Sequence, residues 1–411
     1  MLRPLQPPTA LPRGDTAVVP AVALLTAGKD KPYAVGITHA LMARHLPIDL
    51  VAGDDLEDEL AAVSGVRFLN LRGDPSSRAP LPAKVRRLLG YYASLIAYAF
   101  RSRAPVFHIL WNNKFEWFDR TLLMLYYKLL GKKIVLTAHN VNIAARDGHD
   151  SAVNRASLSM QYALCDHIFV HTRKMQDALH AEFAIPRWKT SVIPFGINNT
   201  SPKTPLDAAG AKRRLGLEPS HRTLLFFGNI APYKGLEYLV EALSIAASSN
   251  PAYRLIIAGR PKGSEQYWSG VCGQIDKLGL HASIVARTDF VPDDEVEIYF
   301  KAADVLVLPY TQVFQSGVLS LAYSFGLPVI ASDVGSLADD VVVGRTGFVC
   351  QPRDAGDLAS RIHEYFASDL HRDLTERRAD IEQYANERYS WSTVGEMTEL
   401  VYRSLAGRAA R

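Results

Sequence analysis

The chain has 411 residues, 48% hydrophobic and 21% charged, which is ordinary for a soluble globular protein and excludes a disordered chain, a collagen and a coiled-coil rod. No apolar run reaches the roughly 18–20 residues of a transmembrane helix, and the Pro-rich start shows no signal-peptide pattern, so the cytoplasm is the expected compartment. The net charge of +4 is unevenly spread: residues 1–200 carry 24 Lys and Arg against 16 Asp and Glu, and the remainder carries 22 against 26. The basic half indicates contact with anionic lipid, nucleic acid or a phosphorylated ligand.

Short apolar runs alternate with helical patterns through the first half of the chain. The predicted strands are Ala17–Leu25, Ile48–Ala52, Val66–Leu71, Val106–Trp111, Lys133–His139, His167–His171 and Thr190–Pro194. Strands that alternate with helices of roughly 10–20 residues are typical of right-handed βαβ units and a mostly parallel sheet. Residues 1–198 are therefore predicted to form a Rossmann-like domain.

A polar, Pro-containing segment at 199–220 predicts a connection, after which the same pattern restarts. The predicted strands are Thr223–Phe227, Tyr253–Ala258, Ser283–Ala286, Val305–Pro309, Pro328–Ala331 and Gly347–Val349. The fold class is thus α/β, with two doubly wound Rossmann-like domains facing across a cleft. Residues 221–390 form the second domain, and residues 391–411 form a C-terminal helix that could pack on either one. In open parallel sheets ligands bind beyond the carboxyl ends of the strands, so the loops there are the first candidates for chemistry.

One such loop follows the first strand of the second domain and runs from Gly228 to Gly235. A glycine at a strand end lets the backbone approach a ligand, and Lys234 comes just before a helical pattern. Helix-start N–H groups and an ammonium together make an anion site. A solvated turn lysine is the competing interpretation, about equally supported by position alone.

A second candidate loop lies between Pro309 and Pro328. Ser316 is expected to cap a helix that begins near Gly317, where the missing side chain would admit a phosphate. A well-capped helix without a ligand is the commoner alternative.

Several longer stretches resemble family 4 glycosyltransferases with a GT-B fold. The resemblance rests on FGNIAPYKGLEYLVEAL, RLIIAG, FVPDDEVEIYFKAADVLVLPY, SGVLSLAYSFGLPVIASDVGSLADDVVVGRTGFV and RYSW, and less strongly on LTAHN, CDHIFVHT and VIPFGIN. It implies a UDP- or GDP-linked sugar donor held mainly by the C-terminal domain and an acceptor on the N-terminal domain. It also implies transfer without a bound metal or cofactor.

The resemblance also implies roles for individual residues. Gly228 and Lys234 match the family's donor-diphosphate loop, where Lys234 would neutralise charge on the leaving group. His139 matches a histidine that faces the donor sugar, and Gly28 matches a loop that closes under the donor phosphates or the acceptor. Asp339 falls where the family has a glutamate beside the nucleotide, unless it caps the short helix there.

Three departures from the family pattern weaken the donor site. Asn229 stands where the family has an arginine. Arg260, at a neighbouring strand end, could supply the missing positive charge; the alternative is that Arg260 is an exposed loop residue. The family's paired glutamates are absent, with Leu321 at the second position and Val313 at the first, or Gln312 or Gln315 if the loop shifts. A glutamine cannot act as a carboxylate base, but its amide can bind sugar hydroxyls.

Two features of the basic half bear on the acceptor. Pro82–Arg103 places basic residues at both ends of a Tyr-rich apolar run, which fits a membrane interface or, equally, a helix packed on the sheet. Four residues after a predicted strand could line an acceptor pocket by stacking on a sugar: Trp111, Asn112, Asn113 and Trp117. Core packing explains the tryptophans about as well.

These features favour a metal-independent, retaining hexosyltransferase of polysaccharide biosynthesis that acts on a glycan or lipid-linked glycan. It would be cytoplasmic, with a peripheral position on an anionic inner membrane face as a further option. A non-catalytic GT-B binding partner and a nucleotide-sugar epimerase are the alternatives. Nucleic acid is not an expected partner, because no motif supports it beyond charge.

Overall fold

A computed structural model describes residues 20–74 and 80–407 of the chain. Its contacts divide into two compact units, Met1–Pro194 with Trp391–Arg411, and Phe195–Ser390. The first residues of the predicted strand Ala17–Leu25 lie outside the described part. Among the helices described, none is long and apolar enough to cross a membrane.

The first unit is built on a parallel sheet whose strands alternate with helices. Its strands are β1 (Val22–Leu25), β2 (Ile48–Ala52), β3 (Val66–Asn70), β4 (Val106–Ile109), β5 (Lys133–Thr137), β6 (His167–Val170) and β7 (Thr190–Val192). Its helices include α1 (Lys31–Met42), α2 (Glu57–Leu60), α3 (Leu81–Arg101), α4 (Glu116–Phe118), α5 (Met124–Leu129), α6 (Ile143–Arg146), α7 (Ala152–Leu164) and α8 (Arg173–Phe183). A π-helical turn, Asp119–Leu123, joins α4 to α5. Within the described ranges the seven strands run in the order β3-β2-β1-β4-β5-β6-β7, so the order reverses between β1 and β4.

The second unit repeats this plan. Its strands are β8 (Arg222–Phe227), β9 (Tyr253–Ala258), β10 (Ile284–Arg287), β11 (Val305–Leu308), β12 (Val329–Ser332) and β13 (Gly347–Cys350). Its helices include α9 (Ala208–Arg214), α10 (Leu236–Ser249), α11 (Glu265–Leu278), α12 (Val296–Ala302), α13 (Gly317–Ser324), α14 (Leu337–Asp340), α15 (Ala355–Ala367), α16 (Asp369–Arg372) and α17 (Leu374–Arg388). The strands described here pair in parallel in the order β10-β9-β8-β11-β12-β13, which places the reversal between β8 and β11. The predicted α/β class with two doubly wound parallel sheets is confirmed.

The last helix, α18 (Trp391–Gly407), belongs to the first unit and packs on α1. Two glycines permit the close approach: a Cβ on Gly36 would lie 2.1 Å from the Trp391 ring, and one on Gly395 would lie 2.8 Å from the Ala40 carbonyl oxygen. Farther along α18, the Tyr402 hydroxyl lies 2.5 Å from Nδ1 of His108 on β4. The helix is therefore held to both α1 and the sheet.

The polar segment 199–220 is an ordered part of the second unit and includes α9. Thr204 donates from its backbone N–H and its hydroxyl to the Glu297 carboxylate, at 2.8 and 2.7 Å. Burial acts to raise the pKa of Glu297, but hydrogen bonds from Lys301 and Thr204 outweigh it and lower that pKa to about 2. These contacts fix a segment whose composition alone resembles a linker.

Candidate active site

In the second unit, Lys234 lies in the loop after β8. Its side chain is only 5% exposed, and Nζ donates to the Phe227 carbonyl at 3.3 Å. Nζ also lies 5.4 Å from the centre of the Tyr310 ring, a distance typical of a cation–π contact. A Cβ on Gly228 would be 2.9 Å from Nζ, so this glycine makes room for the ammonium. The structure thus brings the predicted pair Gly228 and Lys234 into contact.

Two more glycines, which sequence reasoning did not select, bring other strand ends to this loop. Gly235 has φ +64°, and a Cβ there would lie 2.1 Å from the Pro309 carbonyl oxygen at the end of β11. Gly259 has φ +143°, and a Cβ there would lie 2.1 Å from the Gly228 carbonyl oxygen. Gly259 carried a signal, since it directly follows an apolar run, whereas Gly235 follows Lys234 and carried none. The loops after β8, β9 and β11 therefore contact one another through backbone atoms, because the glycines have no side chains. This contact lies where the strand order reverses, the place at which α/β proteins bind ligands.

The loop between β11 and α13 is held by the turn after β12. Ser336 donates from its backbone N–H and its hydroxyl to the Phe314 carbonyl, at 2.9 and 2.7 Å. Gly335, with φ +56°, comes so close to the Val313 carbonyl that a Cβ would lie 1.8 Å from that oxygen. This backbone contact sets the position of the residues that lead into α13.

The start of α13 lacks the side-chain cap that the sequence predicts for it. Ser316 occupies the N-cap position, but its side chain makes no capping hydrogen bond, so the predicted Ser316 cap is wrong. Gly317 is exposed and Leu321 is buried. Oε1 of Gln315 is buried without a hydrogen-bond partner, which is unusual for an amide oxygen. The helix start thus presents N–H groups that the serine side chain does not cap.

The other predicted donor residues lie at exposed positions. Asn229 and Arg260 are both exposed, and the Arg260 guanidinium lies 5.7 Å from the centre of the Phe290 ring. The Arg260 carbonyl accepts a hydrogen bond from the Ile230 N–H at 3.0 Å, which links the β8 and β9 loops. Asp339 is exposed and lies in the first turn of α14, whose N-cap is Ser336, so Asp339 does not cap that helix.

In the first unit, His139 follows β5 and lies among aromatic rings. The Trp111 ring stacks on it at 4.2 Å with parallel planes, and the Tyr33 ring meets it edge-on at 4.7 Å. His171, which sequence reasoning did not select, brings Nε2 to 3.3 Å from Nδ1 of His139. Burial and the neighbouring His171 lower the pKa of His139 well below its usual range, and burial lowers the pKa of His171 to about 4. At neutral pH this pair of imidazoles therefore carries no positive charge, and it would contact a ligand by hydrogen bonds and not as a cation.

The remaining predicted residues of the first unit contact other parts of the protein. Asn112 exchanges two hydrogen bonds with Gln161 of α7, at 2.7 and 3.3 Å. Asn113 accepts from the Tyr91 hydroxyl at 2.6 Å and donates to Asp119 at 3.2 Å. Gly28 has φ +60°, and a Cβ there would lie 2.5 Å from an Arg72 nitrogen. The two amides therefore hold neighbouring elements together. Gly28, which has no side chain, leaves room for the Arg72 guanidinium.

Two family models match the chain. Residues 32–200 match "Glycosyltransferase Family 4", and residues 221–368 match "Glycosyl transferases group 1". Among curated relatives, D-inositol 3-phosphate glycosyltransferase of Rhodococcus erythropolis is 26% identical over 84% of this chain and 78% of its own length. The protein of that name from Corynebacterium diphtheriae is 26% identical over 92% of this chain and 90% of its own length.

Solved structures share the fold. Sucrose-phosphate synthase from Thermosynechococcus elongatus matches with a TM-score of 0.72 and 20% identity, over 95% of this chain and all of the other. Anabaena HepE, solved with UDP and glucose, matches with a TM-score of 0.70 and 19% identity, over 93% of this chain and 99% of the other. At these identities the structural likeness concerns the fold alone.

Proposed function

The chain is a glycosyltransferase of family 4 and group 1 with the GT-B fold, and on that premise we propose that it moves a hexose from a UDP- or GDP-linked sugar to a glycan or lipid-linked glycan, as in polysaccharide biosynthesis. The observation that carries the proposal is the buried Lys234 ammonium beside Gly228, at glycine-lined strand ends. Relatives named for a sugar-transfer reaction, and a fold neighbour solved with UDP and glucose, support the same class of donor.

In this proposal the second unit holds the donor diphosphate. Lys234 supplies one positive charge, and the uncapped N–H groups at the start of α13 supply further donors. The absence of a side chain at Gly317 lets a phosphate reach those N–H groups. Gln315, whose buried Oε1 has no protein partner, accepts a hydrogen bond from a sugar hydroxyl of the donor. We assign contact with the nucleotide to Asn229, Arg260 and Asp339, which are all exposed.

The reaction follows from these groups without a protein base. The acceptor oxygen attacks the anomeric carbon while the bond from that carbon to the diphosphate oxygen breaks, and the departing phosphate takes the acceptor's proton. Front-face attack of this kind retains the anomeric configuration. Lys234 stabilises the charge that develops on the leaving group, so the transfer needs no metal or cofactor. We assign neutral His139, stacked on Trp111, to hydrogen bonding with a sugar hydroxyl.

A membrane-bound acceptor is favoured by exposed apolar side chains on two helices of the first unit, which we call the apolar face. Its members are Val85, Leu89, Ile96 and Phe100 of α3 and Leu122, Leu125 and Leu129 of the π turn and α5. The Tyr126 hydroxyl donates to the Ile96 carbonyl at 3.1 Å, so the two helices are in contact. Residues 80–103 contain three cations near the start and two at the end, without an acidic residue. Apolar side chains beside basic ends suit an anionic bilayer interface on which the protein sits peripherally.

The donor site is tested by thermal shift of the purified chain with UDP, GDP, ADP and their sugars. A nucleotide at about 100 times its Kd should stabilise the protein by roughly 2.7 kcal/mol, a shift of several degrees. Lys234→Met should abolish that shift, whereas Lys262→Met, an exposed lysine in the β9 loop, should not. If no nucleotide stabilises the wild-type chain, the proposal fails and a non-catalytic binding role takes its place.

A further inference from the structure

Two imidazoles of the first unit, those of His139 and His171, form a hydrogen-bonded chain that ends at a backbone carbonyl. His171 directly follows β6 and His139 lies two residues after β5, and these two strands are neighbours in the parallel sheet. Nε2 of His171 lies 3.3 Å from Nδ1 of His139, and Nδ1 of His171 lies 3.3 Å from the Ile193 carbonyl oxygen. His171 is only 7% exposed, so the protein itself supplies the partners of both its ring nitrogens.

The carbonyl at the end of this chain determines where the protons are. A carbonyl oxygen can only accept a hydrogen bond, so Nδ1 of His171 carries the proton. Burial lowers the pKa of His171 to about 4, so at pH 7 the ring is neutral and its Nε2 accepts. Nδ1 of His139 is then the donor between the two rings. Because burial and His171 also hold the pKa of His139 well below its usual range, His139 is neutral and its Nε2 carries a lone pair.

Aromatic rings hold the His139 imidazole in one orientation. The Trp111 ring stacks on it at 4.2 Å with parallel planes, and the Tyr33 ring meets it edge-on at 4.7 Å. The same Tyr33 ring lies 5.5 Å from the His171 ring, so it packs against both imidazoles. The stack restrains the plane of the His139 ring, and the hydrogen bond to His171 restrains its rotation within that plane. The direction of the Nε2 lone pair is therefore fixed by neighbouring side chains.

We infer that His171 is a positioning residue that fixes the tautomer of His139, so that Nε2 of His139 accepts a hydrogen bond and the sugar hydroxyl that it contacts must donate. An N–H group at Nε2 would instead tolerate any acceptor on the sugar, whereas a lone pair selects an O–H group. His171 acts through His139 and does not touch the sugar. The contact with a sugar rests on the proposed function, but the tautomer is a property of the protein alone.

The tautomer is tested on the full chain without a ligand. After labelling with ¹⁵N-histidine, long-range ¹H–¹⁵N correlation spectra at pH 7 distinguish a protonated Nδ1 from a protonated Nε2. The signal that disappears in His139→Phe belongs to His139. We expect it to show the proton on Nδ1 in the wild type and a mixture of both tautomers in His171→Leu. A proton on Nε2 in the wild type, or an unchanged tautomer in His171→Leu, overturns the inference whatever the chain binds.

A conservative variant separates positioning from packing. The side-chain carbonyl of glutamine can accept from Nδ1 of His139, so His171→Gln should keep the wild-type tautomer. His167→Leu is the matched control, because it removes another buried imidazole of β6, one whose Nε2 lies 3.0 Å from the Ser191 hydroxyl. It should leave the His139 signal unchanged. A loss of the Nδ1 proton in His167→Leu as large as in His171→Leu would overturn the specific role of His171.

A second measurement concerns the sugar. Binding of UDP-glucose and GDP-glucose is compared with that of analogues in which one sugar hydroxyl at a time is replaced by fluorine or by hydrogen. At the hydroxyl that contacts His139 both replacements should weaken binding by a similar factor, roughly tenfold, because neither group donates a hydrogen bond. That hydroxyl is the one whose replacement no longer matters in His139→Phe. A fluorinated analogue that binds like the parent at that position overturns the inference.

Binding of UDP and GDP to the same variants distinguishes the inference from the proposed function. His171→Leu should weaken the nucleotide sugar by roughly tenfold and leave the nucleotide alone unaffected, because the lost hydrogen bond is one to the sugar. His171→Gln should restore most of that affinity. If the wild type binds a nucleotide but no hydroxyl replacement weakens binding of its sugar, the inference fails and the donor site stands. If neither nucleotide binds, the proposed function fails together with the sugar contact, and the spectra alone decide the tautomer.

Discussion

At the scale of single residues, the donor loop depends on positions where a side chain cannot fit. Gly259 combines φ +143° with backbone contact to the Gly228 carbonyl. Adding a Cβ would force apart the ends of β8 and β9, and an L-residue at that φ is strained. Close packing at these glycines is what allows the Lys234 ammonium and three strand ends to occupy one small region.

The first prediction therefore concerns Gly259→Ala. We expect it to lower the free energy of unfolding by at least ~1–3 kcal/mol, measured by urea denaturation, because both strain and a backbone clash are introduced. Gly270→Ala is the matched control: Gly270 lies inside α11 with open space around it, so alanine there should stabilise by up to about 1 kcal/mol. Equal effects of the two substitutions would contradict the argument.

A second prediction separates stability from function at Gln315. Its buried Oε1 has no protein partner, so Gln315→Met removes an unsatisfied polar atom and should leave the melting temperature unchanged or higher. Donor-sugar affinity should nevertheless fall by roughly tenfold, the value of one hydrogen bond of about 1.4 kcal/mol. Gln312→Met, at an exposed position of the same loop, should change neither quantity. Undiminished donor affinity in Gln315→Met would remove Gln315 from the donor site.

The site was only partly predictable at this scale. Gly228 and Lys234 lie six residues apart in one loop, so their proximity follows from the sequence. Gly28 and Arg72 meet across 44 positions, and Asp119 meets Tyr92 from another helix, so no local pattern contains these contacts. Asn112 and Asn113 occupy the predicted loop, but their amides bond to Gln161, Tyr91 and Asp119. Sequence position indicates which loop a residue occupies, and packing decides what its side chain contacts.

At the scale of elements, each of the thirteen predicted strands overlaps a strand of the described chain, for example Lys133–His139 with β5. Buried parallel strands are short apolar runs bounded by polar or glycine residues, which is a strong local signal. The polar segment 199–220 was harder, because its ordering comes from Glu297 in α12, far away in sequence. Helix α3 has a buried side and an exposed side: Leu95 and Ala99 are buried, while Leu89 and Phe100 face solvent.

The third prediction concerns the apolar face on α3 and α5. Leu89→Glu and Phe100→Glu place a negative charge where lipid is expected, and both positions are well exposed, at 61% and 72%. Binding to vesicles with 30% phosphatidylglycerol should fall, while the melting temperature should stay constant. Raising the salt concentration should weaken wild-type binding, because part of the attraction is electrostatic. Leu278→Glu, on α11 of the second unit, is the control and should bind like the wild type. Equal vesicle binding by all three variants would exclude this face.

At the scale of the whole molecule, the two units should respond differently to acid. Four imidazoles of the first unit are kept neutral by burial: it lowers the pKa of His108 to about 3, those of His167 and His171 to about 4, and that of His139 well below its usual range. In the second unit burial also lowers the pKa of His221 and His371, but both are only half-buried.

The sign of the effect follows from proton linkage. Above about pH 6.5 the imidazoles are neutral in both the folded and the unfolded chain, so they do not make the free energy of unfolding depend on pH there. Below that pH the unfolded chain takes up protons that the folded first unit refuses until pH 3–4. Each such histidine then lowers the free energy of unfolding by up to ~1.4 kcal/mol per pH unit. Asp119, whose pKa burial raises to about 6, acts in the opposite direction, but four imidazoles outweigh one carboxyl.

The fourth prediction is therefore that the first unit loses stability between pH 6.5 and pH 4 before the second unit does. Tryptophan fluorescence can measure this, because Trp111, Trp117, Trp188 and Trp391 lie in the first unit and Trp268 alone lies in the second. The fluorescence melting temperature should fall steeply from pH 7 to pH 5. His167→Gln preserves a hydrogen-bonding group toward Ser191 and should flatten that dependence, whereas the exposed His281→Gln should not. A pH dependence that is identical in His167→Gln and the wild type would mean that this buried imidazole does not drive acid unfolding.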